Sequence, residues 1–575
     1  MMNGMGKLCR TGLIAVGLAF AAILAASLAA GPALAAKAAE TVYLNGNIYT
    51  VDDKQPKASA VAISGQKLVY VGSDKGAKAY VGKKTKVVDL KGRTVLPGLI
   101  EGHMHYTGEG QKMLQVYVFW SPKAEIMSKV KAETEKLPAG TWIIGRGWNQ
   151  EVWPDKKFPT KEELDVVAPN HPVVLTRACG HAIWVNSKAL AMAGVDKNTP
   201  NPAGGTIDRD ANGNPTGILH ETARNLVRSK ITPMTNDRLK EAMLKAQEEM
   251  FSYGITSVFS AGTSGTMSSL LETNLMKELY EKGQLKVRIY NTINEGEDAK
   301  AYYKKGPEIG LYGDRLTVRC IKFYADGSLG ARSALLLEPY SDKPGHIGVE
   351  RTAYNDLYKG FSEARKSGFQ VSTHAIGDGA NRRVVDLYEK VLKEQPLKDH
   401  RFRIEHFQCA TALDIDRIAK LKIIPAMQGI HATSDKNMAE NRIGPERIKF
   451  AYAWRKVIKA GSVIPNGSDA PVEPVNPYWG LYASVTRMDN DGKPDGGWYI
   501  GEAMSREEAL KSFTIWAAYG QFEEKLKGSL QKGKLADFVV IDRDYMKIPA
   551  KEIKDIKALL TVVGGEEVYR SPELK

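Results

Sequence analysis

Eight short apolar runs dominate the chain after residue 95, and several are followed by stretches whose apolar residues recur at helical spacing. The first is Leu96-Pro97-Gly98-Leu99-Ile100-Glu101-Gly102-His103-Met104-His105. The others are Thr256–Phe259, Val287–Ile293, Thr317–Tyr324, Gln370–His374, Phe402–His406, Ile423–Met427 and Val463–Asn466. Helical spacing follows or separates them in Asp237–Tyr253, Asn381–Glu394 and Ala412–Leu421. Fully apolar strands alternating with amphipathic helices are the pattern of a parallel sheet covered by helices. Eight such units predict a closed (β/α)8 TIM barrel over residues 96–525, whose reactive groups sit at the C-terminal ends of the strands.

Two further parts flank or interrupt that barrel. Residues from about 108 to 250 are too many for one strand-to-helix connection and hold strand-like runs at Trp142–Gly145 and Val173–Thr176. They predict an insertion after the first barrel strand that covers the barrel mouth. Residues 36–95 read as short alternating strands: Thr41–Leu44, Asn47–Thr50, Ala60–Ile63, Lys67–Gly72 and Lys86–Asp89. Turns at Asn45-Gly46, Ser64-Gly65 and Lys91-Gly92 punctuate them. Residues 526–575 share that character through Asp537–Ile541, Leu559–Val563 and Val568–Tyr569. The two ends are expected to join in one small β-sandwich beside the barrel, an α/β architecture with an accessory β domain.

Residues 1–35 have the layout of a signal peptide. Lys7 and Arg10 precede an apolar core from Thr11 to Ala30, and Ala33-Leu34-Ala35 forms an A-x-A cleavage site. The expectation is cleavage near Ala35 and a periplasmic or secreted mature protein, the other reading being a leader kept as an anchor. No later stretch reaches eighteen unbroken apolar residues, so no stable membrane insertion is expected after the leader is lost. Loss of Lys7 and Arg10 lowers the net charge of +14 by two, to +12, and the remaining lysines are scattered among acids. Scattered charge argues against nucleic acid as a partner. Of four cysteines, Cys179, Cys320 and Cys409 lie outside the leader, at spacings that fit neither a zinc knuckle nor a CxxC pair. They are expected to be buried free thiols.

The chemistry-bearing residues fall where the strands end. In an extended strand, His103 and His105 face the same way, and two imidazoles so placed form half of a metal clamp. Lys322 lies in Cys320-Ile321-Lys322-Phe323-Tyr324, and His374 opens His374-Ala375-Ile376-Gly377-Asp378. His406 closes Arg403-Ile404-Glu405-His406, and Asp469 sits in Asn466-Gly467-Ser468-Asp469-Ala470-Pro471. Singly each has a plain structural reading; together, four histidines, a lysine and an aspartate converge on one rim. His431, His181 and Trp148 are further candidates for substrate contact, while Asp326 and Arg332 read as structural. His171, His220, His346 and His400 are expected to lie off the rim. A Gly-x-Ser-x-Gly nucleophile elbow is absent.

The segments PGLIEGHMH, IKFYADGSLGARSALL, HAIGDGAN, RIEHFQ, NGSDAPVEPVNP and GKLADFVVIDRD resemble the amidohydrolase superfamily, in its YtcJ-like branch of formamide deformylase-like and AepA-like proteins. RACGHAIWVNSKAL and GGTIDRDANGNPTGILHETA extend the likeness into the insertion. The resemblance implies a divalent metal site, by default two zinc ions: His103, His105 and Asp469 on one, His374 and His406 on the other. Lys322 matches the position where a lysine carboxylated by CO2 bridges both, and iron, manganese or nickel suit the same donors. Met104, Ala470 and Gly379 depart from commoner residues at their positions, which leaves the metal ligands intact and the substrate open. The implied activity is hydrolysis of a C–N bond (amide, formamide or cyclic amide) in a small molecule. Metal-activated hydroxide attacks the carbonyl carbon, with Asp469 as proton shuttle. An ester or phosphoester hydrolase on the same site is the alternative, as is a regulatory or binding protein that has lost turnover. The oligomeric state is left open, a homodimer included.

Overall fold

The structure is a computed structural model that describes residues 37–574 apart from 120, 151–152, 178–181, 203–204 and 264–266. The expected leader, Cys179 and His181 lie outside the described residues. Among the described residues no helix is long and apolar enough to cross a membrane.

Seven strands in parallel register form the barrel wall: β1 (Leu99–Met104), β2 (Ile255–Ser260), β3 (Arg288–Asn294), β4 (Leu316–Tyr324), β5 (Gln370–Ala375), β6 (Arg403–His406) and β7 (Ile424–Ala426). Each pairs with the next, and β2 also pairs with β1. The eighth position differs from the expected strand at Val463–Asn466, which is extended but carries no regular ladder. Pro465 has no N–H to donate. The segment still bonds to both neighbours: Met427 N–H donates to Pro465 O at 3.1 Å, and Gly102 N–H to Asn466 O at 2.8 Å. Asp469 N–H then donates to His103 O at 2.8 Å, which closes the ring.

Helices cover the barrel as the apolar spacing requires. Ala412–Leu421 starts at Thr411, whose hydroxyl accepts from Asp414 N–H, and ends at Lys422 in the left-handed region with φ 58°. Asp378–Glu394 buries Val384, Leu387, Tyr388 and Val391 on one face. The helix Asn236–Ser252 also belongs to this layer. Its buried Leu239, Met243, Ala246 and Met250 share one core with Leu99, Ile255 and Val258. The inserted unit is therefore shorter than the expected 108–250. Its own six-stranded sheet runs from Val116–Tyr117 to Pro215–Glu221, with a separate core around Trp148, Trp153 and Trp184.

The chain ends come together. Phe538–Ile541 pairs antiparallel with Thr94–Pro97 in a six-stranded sheet that also holds Ala558–Val563 and Glu566–Arg570. A four-stranded sheet centred on Thr41–Leu44 and Ala60–Ser64 packs on it through Tyr43, Val61, Ile63, Phe538, Val540 and Leu560. Arg288 at the start of β3 ties this unit to the barrel, its Nε 2.7 Å from Asp537 Oδ2 in a buried pair. Cys320 and Cys409 are buried and unpaired.

Candidate metal centre

At the C-terminal rim, His105, Lys322, His374, His406, His431 and Asp469 line one cavity of about 420 Å3. His103 lies beneath it, fully buried. His103 Nε2 stands 3.3 Å and His105 Nε2 3.4 Å from Asp469 Oδ1. Donor atoms of His103, His406 and Asp469 all lie within 4.8 Å of one another. Two donors each about 2.1 Å from a tetrahedral zinc would be about 3.4 Å apart, so these spacings suit a shared ion. His103 Nε2 and Asp469 Oδ1 are both buried without a hydrogen bond among the described residues. Buried polar atoms rarely stay unsatisfied, and two that face one point suit a bound cation.

The remaining ring nitrogens explain why the imidazoles point inward. His103 Nδ1 is 2.5 Å from Glu405 Oε2, His105 Nδ1 is 2.8 Å from Gly262 O, and His406 Nδ1 is 2.9 Å from Gln428 Oε1. Each partner is an acceptor, so the Nδ1–H donates and the Nε2 lone pair faces the cavity. Glu405 is itself fixed. Arg403 Nε donates to its Oε1 at 2.7 Å, and Ser372 Oγ donates to the same atom at 2.7 Å. Burial pushes the Glu405 carboxyl up, but the Arg403 guanidinium and the hydrogen bond from His103 outweigh it and hold it well below the ordinary range.

Electrostatics keep His374, His406 and Asp469 in ligating form. Burial, aided by Lys322, pushes His374 down to about 3. Burial and then His374 hold His406 well below its usual value. Burial raises Asp469, but the facing imidazoles of His103 and His105 outweigh it, so the carboxyl stays well below 3.8. Lys322, fully buried, is pushed down by burial to about 8, against the pull of Glu405 and Asp469. His374 is turned differently from the other histidines: its Nε2 lies 3.4 Å from Gly327 O, which leaves Nδ1 as its free donor. Two candidate ligand positions carry left-handed backbone, His406 at φ 77° and Asp469 at φ 58°. Such conformations cost about 1–3 kcal/mol each in a non-glycine residue and cluster at functional sites.

His431, in the first turn of the helix after β7, lines the cavity with its Nε2 3.8 Å from Asp469 Oδ2. Neither of its ring nitrogens has a hydrogen bond among the described residues. Trp148 does not reach the cavity, a correction to the expected pocket contact. It is fully buried inside the inserted unit, its indole N–H donates to Leu175 O at 2.8 Å, and its ring stacks 6.2 Å from Trp153. An apolar ring of that size is worth more in the unit's core than at a wet rim. Asp326 accepts N–H groups of Leu335, Ile376 and Gly377, which fixes the loop after β4, and Arg332 pairs with Asp342 at 2.9 Å. His171, His220, His346 and His400 bond to Thr141 O, Asp208, Arg332 O and Leu421 O, away from the cavity. The sequence reading missed Arg403, Glu405 and Gln428. The signal was there: a charged Arg-x-Glu pair inside an apolar strand has to be satisfied locally.

Residues 86–569 match the amidohydrolase family. The chain belongs to that family. YtcJ of Bacillus subtilis (strain 168), whose name marks it as an amidohydrolase, is 32% identical over 537 residues, covering 92% of this chain and 99% of its own. N-substituted formamide deformylase of Arthrobacter pascens is 27% identical over 555 residues, covering 92% of this chain and 97% of its own. The crystal structure of an uncharacterized metal-dependent hydrolase from Pyrococcus horikoshii OT3 superposes with a TM-score of 0.74 at 28% identity, over 89% of this chain and 99% of that one. This amidohydrolase thus shares its fold with metal-dependent hydrolases, and its rim carries a candidate metal-binding triad of His103, His406 and Asp469.

Proposed function

We propose that the protein is an exported hydrolase of C–N bonds in small amides, formamides or cyclic amides, working at a two-zinc centre. The observation that carries this reading is the convergence of His103, His105 and His406, with preset tautomers, on the buried carboxylate of Asp469. His103, His105 and Asp469 would hold one ion and His374 and His406 the second. Lys322 would bridge them as a carbamate, formed when its neutral amine takes up CO2 and releases a proton. A burial-lowered lysine with no ion-pair partner among the described residues is suited to that step. The named activity of the Arthrobacter relative supports an amide substrate.

The ions supply Lewis-acid polarisation of a carbonyl and make water more acidic. The protein does the rest. Asp469 keeps one carboxylate oxygen among the histidines while Oδ2 faces the open cavity toward His431. That oxygen accepts the proton of the attacking water and returns it to the departing nitrogen. His431, unsatisfied at both ring nitrogens, is placed to bind the carbonyl oxygen.

The test is a hydrolysis panel of N-formyl, N-acyl, lactam, carboxylic ester and phosphoester compounds, run on zinc-loaded wild type and Asp469→Asn. Amide cleavage that falls about 100- to 10,000-fold in the variant, with zinc still bound, fits the proposed shuttle. Undiminished activity in the variant would overturn it. Cleavage of esters alone favours the ester reading, and full metal loading without any turnover favours a binding protein.

A further inference from the structure

The geometry points to Arg351 as a residue that selects substrates carrying a carboxylate next to the scissile amide nitrogen, as in N-formyl or N-acyl amino acids. This rests on the reading of the site as an amide hydrolase and adds the class of amide.

Arg351 lines the same cavity as Lys322, His374 and Asp469. Its guanidinium carbon lies 3.9 Å from the centre of the Tyr324 ring, at the end of β4. The Tyr324 ring is in turn 5.9 Å from the His374 ring and 5.3 Å from Lys322 Nζ. Arg351 is therefore no farther from His374 than two ring spacings laid end to end. In an N-acyl amino acid, only the nitrogen and Cα separate the carbonyl carbon from the carboxylate carbon. A substrate whose carbonyl sits among the histidines reaches Arg351 with that group.

The side chain of Arg351, an exposed residue, leans on Tyr324 and has no hydrogen-bond or ion-pair partner among the described residues. Arg351 N–H donates to Ala325 O at 2.9 Å, which anchors its backbone to the strand end, and stacking on Tyr324 limits the side chain. The acids beside it have other partners. Glu350 pairs with Arg383 at 3.0 Å, and Glu295 accepts the Thr352 hydroxyl at 3.2 Å. Glu295 is near enough for its carboxyl to be influenced by Arg351, but no carboxylate among the described residues forms an ion pair with the guanidinium. Across the cavity Asp435 is taken up by Gln408 Nε2 at 2.9 Å and the Tyr452 hydroxyl at 2.7 Å. A planar fork with free donors, facing a cavity that already holds an amide-cleaving centre, matches a carboxylate in two hydrogen bonds.

The experiment measures equilibrium binding of an N-formyl amino acid and its neutral carboxamide to the zinc-loaded protein, in wild type, Arg351→Gln and Arg351→Lys. Turnover of both compounds is followed in parallel. Wild type should bind the acid about ten- to a hundredfold more tightly than the carboxamide. Arg351→Gln should lose that preference while its affinity for the carboxamide stays unchanged, and Arg351→Lys should keep part of it. Equal binding of acid and amide by wild type would overturn the inference. So would a preference that survives in Arg351→Gln, since the carboxylate would then be held by the zinc. Because binding is read separately, loss of all turnover would count against the amidase reading and leave the selectivity result standing.

Discussion

At the level of single residues, the account turns on how a metal ligand is aimed. His103 has no freedom: Glu405 holds its Nδ1, and Arg403 and Ser372 hold Glu405. Replacing Glu405 with Gln leaves the Arg403 charge buried without its partner and removes the anionic acceptor behind His103. Zinc affinity, read by competition with a chelating dye, is expected to drop about 10- to 100-fold. Unfolding in denaturant should show a loss of about 3–5 kcal/mol, the usual effect of breaking a buried pair. Affinity equal to wild type would mean that Glu405 does not orient the ligand. The candidate ligands were legible in the sequence because His-x-His and isolated histidines at strand ends stand out from apolar runs. Glu405 and Arg403 were on the same strand as His406, yet their role depends on a contact to β1 about 300 positions away. Spacing along a chain does not report such a contact. Trp148 was misread for a related reason: it was read with His181 as a residue of the insertion that closes the pocket, and its three aromatic neighbours are not adjacent to it in sequence.

At the level of elements, barrel closure depends on a segment that is no regular strand. Pro465 interrupts the ladder, and the join is made by Gly102 N–H to Asn466 O and by Asp469 N–H to His103 O. A Cβ added at Gly102 would sit 2.4 Å from Asn466 O, a backbone atom that cannot step aside. Gly102→Ala should therefore push the eighth segment away from β1, costing about 1–3 kcal/mol in denaturant unfolding. It should also weaken zinc binding, because Asp469 rides on that segment. Wild-type stability together with wild-type zinc affinity would show that the closure is looser than described. The apolar run Val463–Asn466 located this element from sequence, but a period-two pattern cannot tell a laddered strand from an extended tether. The helix Asn236–Ser252 was read among the barrel helices, at Asp237–Tyr253, while the expected insertion of about 108–250 overlapped it. Its amphipathic face is equally suited to a barrel or to an inserted unit, and only the shared core with Leu99 and Ile255 decides.

For the molecule as a whole, three units place one site. The sandwich joins both chain ends by pairing Thr94–Pro97 with Phe538–Ile541, so β1 enters the barrel directly from a strand that the C-terminal segment holds in register. The inserted sheet stands between β1 and the first covering helix, and the barrel rim gathers residues from positions 103 to 469. The (β/α)8 plan was visible in the sequence because seven parallel strands and the eighth, unladdered segment at Val463–Asn466 leave eight apolar runs. The exact extent of the insertion was not, since its boundary is set by packing and not by composition. The barrel rim brings His103, His105, Lys322, His374, His406 and Asp469 together, and divalent cations are the proposed occupants of that cluster. The direct measurement is a crystal of protein loaded with zinc, with anomalous scattering recorded on both sides of the zinc edge. The account predicts a strong peak between His103 Nε2, His105 Nε2 and Asp469 Oδ1, and a second beside His374 and His406. A zinc-saturated crystal with no anomalous peak at this rim, or with its peaks elsewhere on the molecule, would contradict it.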